Sequence, residues 1–341
     1  QYNLVKGLKK NGTFVLNCPW TPEELEEHLP VPLKRYLAQN NISFYIIDAV
    51  GIAQELGLGS RINMVMQAAF FKLANIIPIE DAVDYLKKSI EQAYGRKGEK
   101  IVNMNKAAVD RALTGLVKVE IPESWANLQH ETSNTTDSFT KEKLKQVPDF
   151  ISKIHEPIMR YEGDELPVST FKGIEDGRAP LGTTAYEKRG IAVFIPEWQI
   201  DKCIQCNQCS YICPHATIRP FLLDQEEKDN APDTFKTKKA IGKGLEQLHY
   251  RIQVDPLDCT GCMNCADICP APGKALVMKP AVQEIEMEAE NWEYALSIKP
   301  KEDKISRFTL KGSQFVRPLL EFSGACPGCG ETPYVKLLTQ L

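Results

Sequence analysis

The sequence predicts a chain of mixed class, α/β followed by α+β, and three observations support this. The first third alternates short β-branched or aromatic runs with helical patterns. A polar, irregular stretch containing Pro and Gly follows it. Beyond that stretch lie two cysteine runs of identical spacing. Because the chain has 341 residues, it is too long for one module, and we expect two or three domains.

The composition excludes several classes of protein. Hydrophobic residues make up 43% of the chain, and a net charge of −4 argues against nucleic-acid binding. No apolar run is long enough to cross a bilayer, and the start lacks the layout of a signal peptide. We therefore expect a cytoplasmic location without membrane or nucleic-acid partners. Since Gln1 is not an initiator methionine and the chain stops within a helix-like pattern, we also expect a piece of a longer polypeptide.

Residues 1–121 are predicted to form part of an α/β layer domain. The runs 13–16 and 44–47 are β-branched and aromatic, as buried strands are. Helical patterns with recognisable start signals occupy four places: near Thr21, after Ser60, after Pro78 and over 99–113. This mixture of elements favours layered α/β structure.

A glycine-containing loop at 57–60 precedes one of these helices. It lacks the third glycine of G-x-G-x-x-G, so a helix end followed by a capping Ser60 explains it without a ligand. The functional interpretation is a helix N-terminus that offers backbone N–H groups to a phosphate, with Arg61 and Asn63 in its first turn. Asn105, in an apolar-rich helical run, is consistent with an ordinary surface amide.

Three other stretches carry weaker expectations. Residues 122–195 are polar and irregular, with 131–138 resembling a linker, and are predicted to form a linker and a small connecting domain. The alternating acidic run 284–288 predicts an exposed extended strand. The basic run 236–239, with Lys243, is consistent with a docking surface for an acidic electron carrier or with a solvated charge run.

The tandem cysteine runs carry the strongest chemical signal. Each reads C-x2-C-x2-C-x3-C-P, the pattern of bacterial two-cluster ferredoxins, and predicts two [4Fe–4S] clusters. In such domains the last cysteine of each run ligates the other cluster. One cluster is then expected to take Cys203, Cys206, Cys209 and Cys269, and the other Cys259, Cys262, Cys265 and Cys213. Zinc is disfavoured because it uses isolated cysteine pairs rather than triplets with a trailing Cys-Pro.

Three cysteines remain outside these runs. Cys326 and Cys329 form a C-P-x-C-G turn, which zinc ribbons and rubredoxins also use, so the spacing indicates a metal without selecting one. Two further ligands would have to come from beyond Leu341. Cys18 follows an apolar run and is expected to be a buried, inert thiol.

Several segments together resemble one known family. They are the tandem runs, Tyr-Glu-Lys-Arg at 186–189, Phe-Lys-Thr-Lys-Lys-Ala at 235–240, and the Ser-Gly-Ala-Cys-Pro-Gly-Cys-Gly-Glu-Thr-Pro-Tyr run at 323–334. The chain resembles the central segment of the long, single-chain pyruvate:ferredoxin (flavodoxin) oxidoreductases. The resemblance implies four parts: the C-terminal part of a swivelling coenzyme A-binding α/β domain (1–121), a linker and small connecting domain (122–195), a two-cluster ferredoxin-like domain (196–281), and a linker with the start of a thiamine-diphosphate α/β domain (282–341).

The same resemblance implies an activity and further sites. The whole enzyme would convert pyruvate and coenzyme A to acetyl-CoA and CO2 and pass electrons to ferredoxin or flavodoxin, as a homodimer. Cys326 and Cys329 match two ligands of a third cluster, and Glu331 matches a position near thiamine diphosphate and its Mg²⁺. Asn63 and Asn105 match positions that contact coenzyme A. The remaining ligands, the pyruvate-binding residues and the catalytic residues would lie in the rest of the polypeptide.

Two alternatives remain open at this stage. A non-catalytic polyferredoxin-type electron-transfer subunit explains the eight tandem cysteines equally well, although it does not explain the α/β domain or Cys326 and Cys329. An oxidoreductase for another 2-oxoacid is also compatible, because the substrate pocket lies outside these residues.

Overall fold

A computed structural model describes residues 3–59, 61–129 and 147–341. The chain divides into two units, residues 1–172 and 173–341. Ser60, the expected cap, and the linker-like run 131–138 lie outside the described residues. Within the described part, no helix combines the length and the apolar character that crossing a membrane requires.

The first unit contains a three-stranded mixed sheet. Its central strand, Ser43–Ile47, runs parallel to Thr13–Asn17, with Thr13 opposite Ser43, and antiparallel to Val117–Val119. Phe44 and Ile47 of the central strand are almost fully buried. The two strands that the sequence predicts are therefore present, while the short third strand was not expected.

Helices surround this sheet and supply most of the first unit's core. The α-helices of the unit are Leu25–His28, Val31–Gln39, Ala49–Glu55, Asn63–Ala74, Ile79–Tyr94, Glu99–Gly115 and Glu156–Met159. The three longest correspond to helical patterns in the sequence. The pattern near Thr21 gives only the short helix Leu25–His28, and Val31–Gln39 was not expected. Helices Asn63–Ala74 and Glu99–Gly115 pack through one apolar cluster that also includes Ile47 of the sheet. The mixed α/β content expected of this region is confirmed.

The region after residue 120 is irregular, as expected. Its described elements are short helical turns: 3-10 turns at Glu123–Asn127, Gly163–Glu165 and Val168–Phe171, and a π-helical turn at Ile151–His155. Trp125 is the main apolar anchor, being 2% exposed within a cluster built around Leu25 and Leu37.

The second unit repeats one pattern twice. Each copy has a strand, a cysteine loop, a short helix and a second strand. The first copy comprises Phe194–Trp198, Gln208–Ile212 and Ile218–Leu223, and the second comprises His249–Val254, Asn264–Ile268 and Leu276–Pro280. The copies exchange strands, because Phe194–Trp198 pairs antiparallel with Leu276–Pro280 and Ile218–Leu223 pairs antiparallel with His249–Val254. This ferredoxin-like arrangement agrees with the internal repeat in the sequence.

The insertion between the copies folds onto the second sheet. A capping box at Asp224 and Glu227 starts the helix Gln225–Asp229. The strand Lys238–Lys239 then pairs with the edge of His249–Val254. The chain closes with the helices Leu310–Ser313 and Thr332–Gln340, and we call the latter the tail helix.

The acidic run 284–288 is not an extended strand, and that prediction is wrong. It lies inside the helix Ala281–Ser297, which buries Glu288, Ala289, Trp292 and Ala295 on one face. The Glu288 carboxylate points inward and accepts hydrogen bonds from the side chains of Gln253 and Arg251, at 2.5 and 3.4 Å. Glu, Met and Ala all favour helices, so helical propensity and this buried partner outweigh the short alternation.

Candidate iron–sulfur centre

The two cysteine loops, 203–209 and 259–265, follow the same backbone path. In the first, Gln205 and Asn207 adopt left-handed conformations with φ of 59° and 62°. In the second, Gly261 and Met263 occupy the equivalent positions with φ of 66° and 69°. Left-handed residues reverse the chain tightly, so each loop carries its first three cysteines around one space.

The fourth cysteine of each run lies at the end of a short helix. Cys213 is the C-terminal capping residue of Gln208–Ile212, and Cys269 has the same role after Asn264–Ile268. Pro214 and Pro270 follow them, and proline cannot continue a helix because it has no N–H. The chain therefore turns at this point, and each fourth thiol leaves its own loop.

The thiols gather as two sets of four. Cys203, Cys206 and Cys209 line a small cavity together with Cys269 of the other run. Cys259, Cys262 and Cys265 line a second small cavity together with Cys213. We call these the first and second thiol sets. The structure thus brings together the same crossed sets that the sequence suggests.

The four thiols of each set lie around a space and do not converge on a single point. Among the described residues, no group of three or more His, Cys, Asp or Glu side chains converges closely enough to hold a single metal ion. A four-iron cluster instead takes one thiolate at each of its four irons, so its ligands lie around a space rather than at one point. Thiols that line a cavity without converging on one point fit such a cluster.

Burial raises the pKa of three of these thiols, those of Cys209, Cys259 and Cys265. It raises the pKa of Cys259 to about 12, and the nearby thiols of Cys213 and Cys262 add to the rise. Burial also raises the pKa of Cys209 and of Cys265, again helped by neighbouring thiols. Thiolates packed this closely repel one another, so they require a bound cation to compensate their charge. The donor chemistry and the enclosed spaces therefore fit iron–sulfur clusters.

A further feature of the first cavity supports this fit. Trp198 lines that cavity, and its buried indole N–H has no hydrogen-bond partner among the described residues. Buried polar groups are normally paired. A bound iron–sulfur cluster would offer the indole N–H of Trp198 sulfur atoms as hydrogen-bond acceptors.

Two buried amides hold the first loop in its left-handed path. The Gln205 side chain donates to the Lys239 carbonyl at 2.7 Å. The Asn207 side chain accepts from the Tyr250 hydroxyl at 2.7 Å and donates to the Lys311 carbonyl at 2.8 Å. Sequence reasoning missed both residues. Asn tolerates positive φ, so an amide between closely spaced cysteines was the available signal.

The second loop is held differently. A Cβ atom added at Gly261 would lie only 3.0 Å from the carbonyl oxygen of Phe194. The start of the strand Phe194–Trp198 therefore lies directly against the backbone of the second loop. The Gly261 N–H points at the Cys259 sulfur at 3.5 Å, and the Ala275 N–H points at the Cys269 sulfur at 3.3 Å. N–H groups facing sulfur stabilise negative charge on a cluster.

The basic run in the insertion is partly structural. The Lys238 ammonium donates to the carbonyls of Ile200 and Cys203, at 2.8 and 3.1 Å, and thereby braces the entry to the first loop. Lys236 and Lys243 are exposed. Of the two open interpretations, an external docking role can therefore apply to the exposed lysines and not to Lys238.

The Cys326–Cys329 turn packs against the second loop. The Cys329 N–H donates to the Cys326 carbonyl at 3.0 Å, and Gly328, with φ of 74°, completes the turn. A Cβ atom added at Gly328 would lie 3.6 Å from the Cβ of Cys262. His215, which lines the second cavity, bonds the Ala325 carbonyl through Nε2 at 2.8 Å.

The tail helix begins at this turn. The backbone N–H groups of Thr332 and Glu331 point at the Cys329 sulfur and lower the pKa of its thiol, as helix N-termini do for thiolates. Cys329 is accordingly prepared as a metal ligand, while Cys326 is exposed. The Glu331 side chain is also exposed, at the N-cap of the tail helix.

The remaining site candidates lie in the first unit. Asn63 is exposed at the first position of its helix, after a loop in which Gly57 and Gly59 adopt positive φ. Asn105 is 5% exposed and donates to the Ile101 carbonyl at 2.8 Å, so the ordinary surface amide expected from sequence is wrong. Cys18 is buried as expected, and burial raises the pKa of its thiol.

Fold and site define an iron–sulfur protein with a ferredoxin-like domain. Comparison with family models agrees. Residues 202–272 match the 4Fe-4S dicluster domain, residues 1–115 match pyruvate ferredoxin/flavodoxin oxidoreductase, and residues 136–192 match a domain of unknown function.

Curated relatives align with the whole chain. It is 58% identical to a pyruvate-flavodoxin oxidoreductase of Enterobacter agglomerans and 55% identical to a pyruvate:ferredoxin oxidoreductase of Moorella thermoacetica, and it spans 28% of the length of each. It is 46% identical to a mitochondrial pyruvate dehydrogenase [NADP(+)] of Euglena gracilis, of which it spans 18%. The chain belongs, as a segment, to the pyruvate ferredoxin/flavodoxin oxidoreductase family.

Proposed function

We propose that the full-length protein oxidatively decarboxylates pyruvate with coenzyme A, yielding acetyl-CoA and CO2, and passes the electrons to ferredoxin or flavodoxin. The segment of 341 residues supplies the electron relay and part of the coenzyme A site. The crossed thiol sets, with the Cys326–Cys329 turn packed on the second of them, are the observation that carries this proposal.

Each thiol set ligates one [4Fe–4S] cluster in this proposal. A bound cluster accepts and releases single electrons. The protein's own part is to bind and enclose it: eight thiolates provide the charge, and the left-handed loops fix their positions. Buried Tyr250 and half-buried Trp198 exclude water from the first cavity. All-cysteine ligation favours low potentials, as reduction of ferredoxin requires.

The Cys326–Cys329 turn supplies half of a third ligand set, completed by the rest of the polypeptide. Because Gly328 lies against Cys262, the second thiol set is the immediate neighbour of a cluster held at the turn. The first thiol set is then the one from which electrons leave. Exposed Ile204, beside Cys203, opens this set toward the surface.

The finer layout follows the family pattern. We assign 1–121 to the swivelling coenzyme A domain, 122–195 to a linker and connecting domain, 196–281 to the ferredoxin-like domain, and 282–341 to the start of the thiamine-diphosphate domain. This layout is supported by the independent α/β core of the first unit and by the repeat in the second.

Cosubstrate and cofactor contacts are assigned to three residues. Exposed Asn63 opens a helix N-terminus, which suits the phosphates of coenzyme A. Asn105 lies on a helix packed against that of Asn63 and belongs to the same site. Glu331 contacts thiamine diphosphate, whose Mg²⁺ and remaining ligands, like the partner subunit of a homodimer, involve the rest of the polypeptide.

Replacing Cys206 by Ser in the full-length protein tests the relay. Since Cys206 belongs to the first thiol set, we expect ferredoxin and flavodoxin reduction to fall by more than the roughly 10–100-fold that loss of a hydrogen-bond partner of a metal ligand costs. Pyruvate and coenzyme A should still reduce the remaining clusters, as seen by electron paramagnetic resonance. Cys18→Ser, outside the relay, is the matched control and should retain full turnover.

Two results would contradict the proposal. Full ferredoxin turnover in Cys206→Ser would remove the first thiol set from the electron path. Cluster reduction in the unmodified protein that needs neither pyruvate nor coenzyme A would instead support a non-catalytic electron-transfer subunit. Parallel assays with another 2-oxoacid and with NADP+ test the substrate and the acceptor separately.

A further inference from the structure

A buried lysine of the tail helix lies at the junction of the two thiol sets. The Lys336 ammonium donates to the carbonyls of Ser210, Tyr211 and Cys213, the latter two at 3.2 Å. These three carbonyls close the helix that carries Cys209 and ends at Cys213. Lys336 therefore contacts the backbone of a segment that contributes Cys209 to the first thiol set and Cys213 to the second.

The hydrogen-bond pattern favours the charged form of this lysine, and burial lowers its pKa only to about 8. An ammonium group has three N–H donors, whereas a neutral amine has two. Three carbonyl acceptors surround Nζ, and the residue is 2% exposed. A helix C-terminus also favours a cation, because its unpaired carbonyls carry partial negative charge.

Among the described residues, no acidic side chain forms an ion pair with Lys336, and its polar contacts are the three carbonyls. Arg219, a cation that acts on it electrostatically, is itself paired with Glu321. An uncompensated charge in a low-dielectric interior exerts its field over a longer range than a surface charge does.

The thiols around Lys336 are not equivalent. The Lys336 ammonium lies 3.2 Å from the carbonyl oxygen of Cys213 itself, whereas the other two carbonyls that it contacts belong to Ser210 and Tyr211 and not to Cys209. Cys213 belongs to the second thiol set, which also contacts the Cys326–Cys329 turn. The field of Lys336 therefore acts mainly on the second set.

The internal repeat provides a natural comparison. Lys274 occupies the corresponding helix end in the second copy, where its ammonium donates to the carbonyls of Asp267 and Cys269, at 2.7 and 2.9 Å. Lys274 is exposed, so solvent and salt screen its charge. Cys213 and Cys269, which end the two runs, thus each have a lysine bound to their carbonyl. The lysine at Cys213 is buried, whereas the lysine at Cys269 is exposed to solvent.

We propose that Lys336 is a positioning residue that raises the reduction potential of the cluster held by the second thiol set. The proposal rests on the proposed function, since it requires clusters at the two sets. Reduction adds one electron to the cluster, delivered from the pyruvate side and passed on to the acceptor. The fixed ammonium stabilises that added charge without gaining or losing a proton.

Redox titration of the cluster-loaded, full-length protein tests the proposal. In Lys336→Met, we expect one cluster transition to move to more negative potential, with the ratio of reduced to oxidised cluster at fixed potential falling on the order of tenfold, about 59 mV for one electron. In the matched Lys274→Met control, no transition should move comparably. The Lys336 effect should persist at high salt because the charge is buried.

Further variants separate charge from packing. Lys336→Gln keeps amide donors but removes the charge, and should reproduce the shift seen with Met. Unchanged potentials in a Met or Gln variant with full iron content would overturn the proposal. Loss of iron from both neutral variants would assign a structural role to Lys336 and would equally overturn it. Failure of the proposed function would be distinct, because the unmodified protein would then lack clusters or pyruvate-dependent reduction.

Discussion

The two cysteine loops have the same backbone conformation, but they differ in the side chains between the cysteines and in the segments that cover them. At matched left-handed positions, the first loop has Asn207, which is 1% exposed and hydrogen-bonded, and the second has Met263, which is 48% exposed. The shared cysteine spacing sets the backbone path because three thiols must face one space. The intervening side chains instead reflect what covers each loop, the insertion for the first and the Cys326–Cys329 turn for the second.

The largest expected effect is that of removing iron, which both loops need. Cys209, Cys213 and Cys265 are part of the main apolar cluster of the second unit. Without clusters this core encloses eight closely spaced thiols, and the stability of the unit should fall by about 4 kcal/mol or more.

Hydrogen exchange of the chelator-treated, full-length protein locates this effect. Protection should drop in Ile218–Leu223 and His249–Val254 of the second unit, and persist in Ser43–Ile47 of the first. Equal protection with and without iron in both strands of the second unit would show that this core does not depend on clusters.

A smaller effect separates the two loops directly. Asn207→Ala leaves the Tyr250 hydroxyl and the Lys311 carbonyl without their partner, and should cost about 1–3 kcal/mol of unfolding free energy. Met263→Ala, at the equivalent exposed position, should change it by less than about 0.5 kcal/mol. Denaturant unfolding of the cluster-loaded protein measures both, and equal costs would show that the loops are held in the same way.

The smallest effect concerns the lysines of the insertion. Changing exposed Lys236 and Lys243 to Glu should raise the KM for an acidic carrier roughly threefold at low ionic strength, and leave it unchanged at high salt. Lys238→Met is the contrasting variant. Because Lys238 braces the Cys203 carbonyl, it should lower cluster stability rather than alter the salt dependence of KM. A KM that does not respond to charge reversal at low salt would rule out docking at this surface.

Much of the relay could be anticipated from sequence, because cysteine spacing directly constrains ligand geometry. The repetition of the two cysteine loops followed from the identical spacing of the runs. Gln205 and Asn207 escaped notice because their partners, Lys239 and Lys311, are distant in sequence. Lys336 was missed for the same reason, since an isolated lysine in a helical pattern is normally a surface residue.

The errors have a common physical origin. The run 284–288 alternates as a strand does, but Glu288 finds a buried partner in Arg251, so a helix can bury it. Asn105 was expected at the surface and is buried within its helix. In both cases a polar group lies inside because another residue satisfies it, and sequence periodicity carries no information on such pairing.

The crossed thiol sets are the central claim, and Cys213→Ser tests them most directly. Electron paramagnetic resonance of the reduced, full-length protein should show that this variant perturbs the same cluster signal as Cys262→Ser, although Cys213 belongs to the first cysteine run. It should leave intact the signal that Cys206→Ser perturbs. If Cys213→Ser and Cys206→Ser instead altered one common signal and spared that of Cys262→Ser, each run would hold its own cluster and the account would be contradicted.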